Sequence, residues 1–294
     1  MSHFVSESHR QRTVGPCRVP VSVGIAIETK TRLGGCGGLR CQDAVAFDLG
    51  EDYLVAVVCD GCGGYEPPTN SGGSHPDLSA TEVGAILMSE MTLQEIAASQ
   101  AKYSFTKKTP DEIQEAVSAA VTAVLKRLTR LLPRKQYKEE RIAFVDRFLN
   151  TTIQILIVTE HHVMVLGCGD GVLEFNQESM SFDSQAGQYI CAPLAPEKRT
   201  ERKLERRLLK PFKELTSLTL ASDGWQELAS DLKIPSLAKV IAPTQTEQPG
   251  IDHDFLPRLR MATGGPNGSR PRLRDDVALV HIEKLSSRCL MQIS

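Results

Sequence analysis

Aspartate recurs at the edges of apolar runs in this chain. Leu54 to Cys59 ends in Asp60-Gly61, Leu218 to Ala221 ends in Ser222-Asp223-Gly224, and Asp275-Asp276 precedes Val277 to Ile282. Val163 to Leu166 leads into Gly167-Cys168-Gly169-Asp170-Gly171, and Gln42-Asp43 stands before Val45 to Leu49. Short apolar runs of this kind read as buried strands, so the acids would collect at strand ends. Carboxylates there repel one another and resist desolvation, and hard divalent cations are the physical remedy. Two such ions about 3.5–4 Å apart can ready a shared water for attack and relieve negative charge on a substrate. Taken singly, each Asp-Gly is an ordinary tight-turn signal. The ordered set is what points to chemistry.

In that order the residues resemble the metal-dependent serine/threonine protein phosphatases of the type 2C class, and a divergent bacterial branch more than the animal enzymes. The matching elements are Gln42-Asp43, Asp60-Gly61-Cys62-Gly63-Gly64, Thr151-Thr152, Gly169-Asp170-Gly171-Val172, Ser222-Asp223-Gly224 and Asp275-Asp276, spread from Val21 to Glu283. The resemblance implies an α+β fold, a four-layer α-β-β-α sandwich of two antiparallel sheets flanked by helices. It implies hydrolysis of phosphoserine or phosphothreonine in phosphorylated protein substrates, with Mn²⁺ or Mg²⁺. By the same resemblance Asp60 bridges two ions, the Gly61 carbonyl lies on one, Asp223 and Asp275 lie on the other, and Asp170 serves a third, weaker position. Glycine at 61 would let the backbone approach a cation with no side chain between. Asp43 would orient the attacking water.

Departures from the family pattern bear on activity. Glutamate usually precedes Asp43; Gln42 is neutral and offers the second ion only an amide oxygen. Cys62 replaces a usual histidine or methionine and is a poor general acid, which leaves protonation of the leaving group to water. Gly38 stands where the family often carries a phosphate-gripping arginine, and nearby Arg40 would reach a phosphate bidentately. These departures support a second reading, a phosphatase-like scaffold that has lost catalysis and binds a partner. Cys36-x4-Cys41 and Cys59-x2-Cys62 raise a third, a structural four-thiolate zinc module. That reading is weakened because Cys59 ends an apolar strand and should face the core, while Asp60 faces elsewhere. Cys62, beside the acids, is also a candidate for oxidation.

The bulk of the chain suits a single soluble domain. Its 294 residues are 41% apolar and 24% charged, with a net charge of −2. Near-neutral balance gives no reason to expect nucleic acid or a membrane surface as partner, and nothing resembles a signal peptide or a membrane span. The 8 cysteines are too few and scattered for a disulfide scaffold, so a reducing cytoplasm suits them.

The elements that must hold the acids follow from patterning. Met1 to Pro20 reads as a loosely attached tail, 21–284 as the catalytic domain, and 285–294 as a second tail. Strands are expected at Val21 to Ile27, Ala44 to Leu49 and Tyr53 to Cys59, the last two joined by a hairpin at Gly50-Glu51-Asp52. A glycine-rich turn at Gly34 to Gly38 and a loop from Tyr65 to Pro76 separate them from a helix. That helix would start with a capping box at Ser79-x-x-Glu82 and bury Val83, Ile86, Leu87 and Met91. Thr109-Pro110-Asp111-Glu112 opens a second, whose stripe runs Ile113, Val117, Ala120, Val121, Val124, Leu128 and Leu131. Thr151 to Thr159, His161 to Leu166 and Val172 to Phe175 read as an antiparallel meander. Glu197 to Glu214 reads as a solvated basic helix, with a phosphoprotein-attracting rim as the sharper alternative. Ser236 to Ile241 and Phe255 to Met261 have short helical patterns, ahead of the loop Gly264 to Arg274.

Overall fold

The computed structural model describes residues 19–28, 41–62, 80–100, 104–134, 136–182, 189–195, 203–241, 249–264, 273 and 275–285. In chain order the first strands are β1 (Val21–Glu28), β2 (Ala44–Leu49) and β3 (Tyr53–Cys59), followed by α1 (Glu82–Gln100), α2 (Pro110–Leu128) and α3 (Lys138–Phe144). Next come β4 (Ile153–Thr159), β5 (His162–Cys168), β6 (Gly171–Phe175), β7 (Glu178–Phe182), β8 (Glu205–Pro211) and β9 (Ser217–Ala221). The last are α4 (Asp223–Asp231), α5 (Leu237–Val240), β10 (Gly250–Ile251), α6 (Phe255–Thr263) and β11 (Val277–Lys284).

The strands form a five-stranded sheet in the order β2-β3-β4-β5-β8 and a six-stranded sheet in the order β10-β1-β11-β9-β6-β7. The first is antiparallel throughout. The second departs from the expected pattern at one edge, where two-residue β10 pairs parallel with β1. Three apolar layers account for the stacking. Along β3, Leu54, Ala56 and Val58 face the second sheet and meet Leu173, Leu220 and Val280. The alternate residues Val55, Val57 and Cys59 face outward onto Ala85 and Met88 of α1 and Val117 and Val124 of α2. On the far side Val172, Ala221 and Leu279 are covered by Trp225, Leu237 and Phe255 of α4, α5 and α6. Sheets buried on both faces need apolar residues at consecutive positions, which is why these strands read as continuous runs. The architecture is the α-β-β-α sandwich that the resemblance implied.

Both ends of the second helix follow from its sequence. Thr109 Oγ1 accepts from Glu112 N (3.4 Å), and the Glu112 carboxylate accepts from Thr109 N (2.8 Å), a complete capping box. Its stripe is buried as read, except Leu131, which is 56% exposed beyond the helix end. The first helix is turned part-way from the reading: Leu87 and Met91 pack against the core as expected, but Val83 and Ile86 are exposed, and the buried face carries Met88, Leu93 and Ile96 together with Gly84, Ala85, Ser89 and Thr92. Close approach selects it: a Cβ on Gly84 would stand 2.7 Å from Leu149 Cα. Leu149 lies in a π-helical turn, Val145–Leu149, which continues α3 and which the sequence reading missed.

Other departures concern connection rather than patterning. β6 does not extend the β4-β5 meander but crosses to the other sheet, between β7 and β9. Gly169 (φ 96°) and Gly171 (φ 135°) make that crossing, in conformations that favour glycine. The expected basic helix at Glu197 to Glu214 is a strand over Glu205–Pro211, at the edge of the five-stranded sheet, where its hydrogen bonds go to β5. Charged side chains on such an edge also discourage pairing with other chains. Residues 196–202, Ser79, the turn at Gly34 to Gly38 and the loop Tyr65 to Pro76 lie outside the described residues, as do most of the two tails. Val19 is buried, and Leu285 N donates to the Pro20 carbonyl, joining the outer margins of β1 and β11.

Candidate functional site

Each acid is delivered by a backbone anchored to its neighbours. Where β3 ends, the Asp60 carbonyl accepts from Thr151 Oγ1 (2.7 Å) and Thr152 N (2.9 Å), and Cys62 N donates to the Asn150 carbonyl (3.1 Å). The Thr-Thr pair thus clamps the main chain that carries Asp60. Ahead of β2, Gln42 N donates to Asp276 Oδ2 (2.7 Å) and the Gln42 carbonyl accepts from Gly61 N (3.1 Å). Ser222 exchanges two bonds with Ala278, N to O at 2.9 Å and Oγ from N at 3.0 Å. A Cβ on Gly224 would lie 1.9 Å from the Asp276 carbonyl oxygen, so only glycine lets α4 start there and set Asp223 beside Asp275 and Asp276. Between Gly169 and Gly171, the Asp170 carbonyl accepts from Gln154 Nε2 (2.8 Å).

Burial raises Asp43 to about 7; a Ser222 hydrogen bond opposes the shift and the Asp276 charge adds to it. Asp60 is held well above the ordinary aspartate range by burial and then by Asp43 and Asp223, with Asp170 contributing. Asp223 is raised by burial, then by Asp170 and Asp275. Acids from both sheets therefore sit in one another's field at one end of the sandwich. Burial and Asp60 push the Cys62 thiol up, so at neutral pH it is neither a thiolate nor a ready proton donor. Tyr189, hydrogen-bonded to Cys62, is pushed up to about 12, mainly by burial.

The donor set fits a hard divalent cation in kind. It is all oxygen, and the buried Asp43 Oδ2 has no hydrogen-bond partner among the described residues. A buried acceptor without a partner is costly unless something supplies positive charge. Among the described residues no three His, Cys, Asp or Glu side chains stand close enough to form a ready cage, so a cation would have to draw the carboxylates together. A cleft of about 340 Å³ on the outer face of the second sheet, lined by Glu174, Ser179, Trp225 and Lys233 among others, includes none of these acids.

The sequence profile described as Protein phosphatase 2C matches residues 36–255. The chain belongs to the protein phosphatase 2C family. Solved structures agree at the level of fold. Stp1, a serine/threonine phosphatase from Staphylococcus aureus, superposes with a TM-score of 0.54 at 16% identity, covering 92% of this chain and 98% of that one. The serine/threonine phosphatase of S. agalactiae gives 0.52 at 16%, covering 90% and 100%. A bacterial serine phosphatase gives 0.54 at 15%, covering 90% and 98%. No curated protein sequence matches the chain.

Against the type 2C pattern, the fold gathers Asp43, Asp60, Asp170, Asp223 and Asp275 at one end, with Gln42 and Gly61 beside them. Arg40 and Cys36 lie outside the described residues. Glycine at 61 has a nearer reason than cation approach: a Cβ there would meet the Gln42 carbonyl oxygen at 2.5 Å and that of Thr81 at 2.8 Å. Cys41 Sγ faces the Glu28 carbonyl (3.9 Å) and Cys62 Sγ that of Asp60 (3.5 Å), while Cys59 is wholly buried. Sequence reasoning missed Thr81, Asn150, Tyr189 and the parts played by Ser222 and Asp276. Ser222 and Asp276 were inside quoted motifs, but attention to carboxylate ligands passed over the residues that hold the backbone.

Proposed function

We propose that this chain hydrolyses phosphoserine and phosphothreonine in phosphorylated proteins, using two Mn²⁺ or Mg²⁺ ions with a third, weaker position. The observation that carries the reading is the mutual field of Asp43, Asp60, Asp170 and Asp223, drawn from both sheets and set in the family's order. Asp60 would bridge the ions, with the Gly61 carbonyl and Gln42 on one side, Asp223 and Asp275 on the other, and Asp170 at the third position. Bound there, the ions would supply a nucleophilic water at neutral pH and offset phosphoryl charge. Asp43, near 7 and with Oδ2 uncommitted, is suited to accept a proton from entering water. Arg40 would grip the phosphate. Cys62 stays protonated, which leaves the departing alkoxide to take its proton from solvent.

A cytoplasmic setting suits the described cysteines Cys41, Cys59, Cys62 and Cys191, which are free thiols. No described helix is long and apolar enough to cross a membrane.

Turnover of p-nitrophenyl phosphate and of a phosphothreonine peptide, measured across Mn²⁺ and Mg²⁺ concentrations, tests the reading. Removing an outer partner of a metal site already costs roughly 10–100-fold, so Asp60→Asn should cost at least about 100-fold in kcat. A folded parent protein with no turnover in either metal would overturn it. That result would favour the partner-binding scaffold, which the commitment of the neutral Gln42 amide to Thr81 supports.

A further inference from the structure

Thr81 precedes α1 and is fully buried. A hydroxyl at a helix start usually serves its own first turn. Here Thr81 Oγ1 donates to the Gly61 carbonyl (2.9 Å) and accepts from Gln42 Nε2 (3.2 Å). Gly61 N donates to the Gln42 carbonyl (3.1 Å), which closes a circuit through residues 42, 61 and 81. Gln42 N, donating to Asp276 Oδ2 (2.7 Å), ties the circuit to an acid of the other sheet.

We propose that Thr81 is a positioning residue that holds the Gly61 carbonyl and the Gln42 amide as one hydrogen-bonded unit, so that both are presented together to a cation. The proposal rests on the metal-dependent reading above. The unit has one polarity. An amide NH₂ only donates, so with Gln42 the single hydroxyl hydrogen of Thr81 goes to the Gly61 carbonyl. A carboxylate at position 42 only accepts, and would compete with Gly61 for that hydrogen. Gln42 and Thr81 are therefore a matched pair, and replacing Gln42 by the family's usual glutamate is not a simple gain of a ligand. Crowding keeps the unit together, because no Cβ fits at Gly61 between the Gln42 and Thr81 carbonyl oxygens.

The test is Mn²⁺ affinity, read by titration calorimetry on the full chain, alongside turnover. Thr81→Val keeps the shape and removes the hydroxyl, and should weaken Mn²⁺ binding about 10–100-fold, as loss of an outer partner of a metal site does. Thr81→Ser should restore the affinity to near the parent value. If Thr81→Val does not fold, Thr81→Ala, which only removes atoms, replaces it. Gln42→Glu should bind Mn²⁺ more tightly when combined with Thr81→Ala than alone, a coupling that additive effects would not give. A folded Thr81→Val that binds Mn²⁺ like the parent but melts lower would make the role merely structural and overturn the proposal. Tighter binding would make the hydroxyl a competitor for the carbonyl and also overturn it. A parent that binds no Mn²⁺ would sink the metal-dependent reading itself, and this proposal with it.

Discussion

Burial, more than any one neighbour, takes Asp43 from 3.8 to about 7, and this has a consequence for folding with a definite sign. Below 3.8 the carboxyl is protonated in the folded and unfolded chains alike. Between the two values the unfolded chain has released a proton that the folded one keeps, so stability falls as pH rises, by up to about 1.4 kcal/mol per unit. The stabilisation is complete below the lower value and gone above the upper one. Asp60 and Asp223 shift in the same direction and steepen the decline. With a chelator present, the thermal midpoint should therefore drop from pH 5 to pH 7.5, and Asp43→Asn should flatten the slope. An unchanged slope in Asp43→Asn would mean that this residue does not hold the proton. Mn²⁺ should act in the opposite sense, stabilising more at pH 7.5 than at pH 5, because its ligands must be deprotonated.

At the scale of elements, α1 shows how packing overrides propensity. Alanine for glycine inside a helix ordinarily gains about 1 kcal/mol. At Gly84 the added Cβ would lie 2.7 Å from Leu149 Cα, a backbone atom that cannot swing aside. Overpacking costs typically about 1–3 kcal/mol, so Gly84→Ala should lower stability in denaturant melts, and any gain would refute this account of the helix seat. The same contact explains why Val83 and Ile86 were misread: the helix is apolar on several sides, and where its first turn meets Leu149 the seat takes Gly84 and Ala85, while Met88, Leu93 and Ile96 are buried further along. The second helix was legible because its stripe and capping box are local, and β2 and β3 because both faces of their sheet are covered. The edge strand β8 was not legible, since its charged residues are fixed by hydrogen bonds to β5, and a charge pattern does not reveal a partner strand. At the site, the aspartates could be read from motif order. Thr81 could not, because its partners stand 20 and 39 residues away and are joined to it only by the fold.

Over the whole molecule, the candidate site spans the two sheets. Asp43 and Asp60 flank β2 and β3, whereas Asp170, Asp223 and Asp275 adjoin β6, β9 and β11 of the other sheet. Ions held among them would cross-link the layers at one end, and the shared apolar layer between the sheets would pass that constraint to the entire fold. A ligand at 100 times its dissociation constant, bound only by the folded state, stabilises by about 2.7 kcal/mol. For a domain of this size that corresponds to a thermal shift of about 5–10 °C. The only tryptophan, Trp225, is a convenient witness: it lies on α4, buried against the second sheet and two residues from Asp223, with Nε1 donating to Glu174 (3.0 Å). Because it packs on the outer face of the second sheet, its fluorescence reports that layer, while far-UV circular dichroism averages over the molecule. Under saturating Mn²⁺ both transitions should move up together and remain coincident, and Asp60→Asn should abolish the shift in both. If the dichroism midpoint moved while that of Trp225 stayed, the ions would be engaging the five-stranded sheet alone, and a site built across both sheets would be wrong.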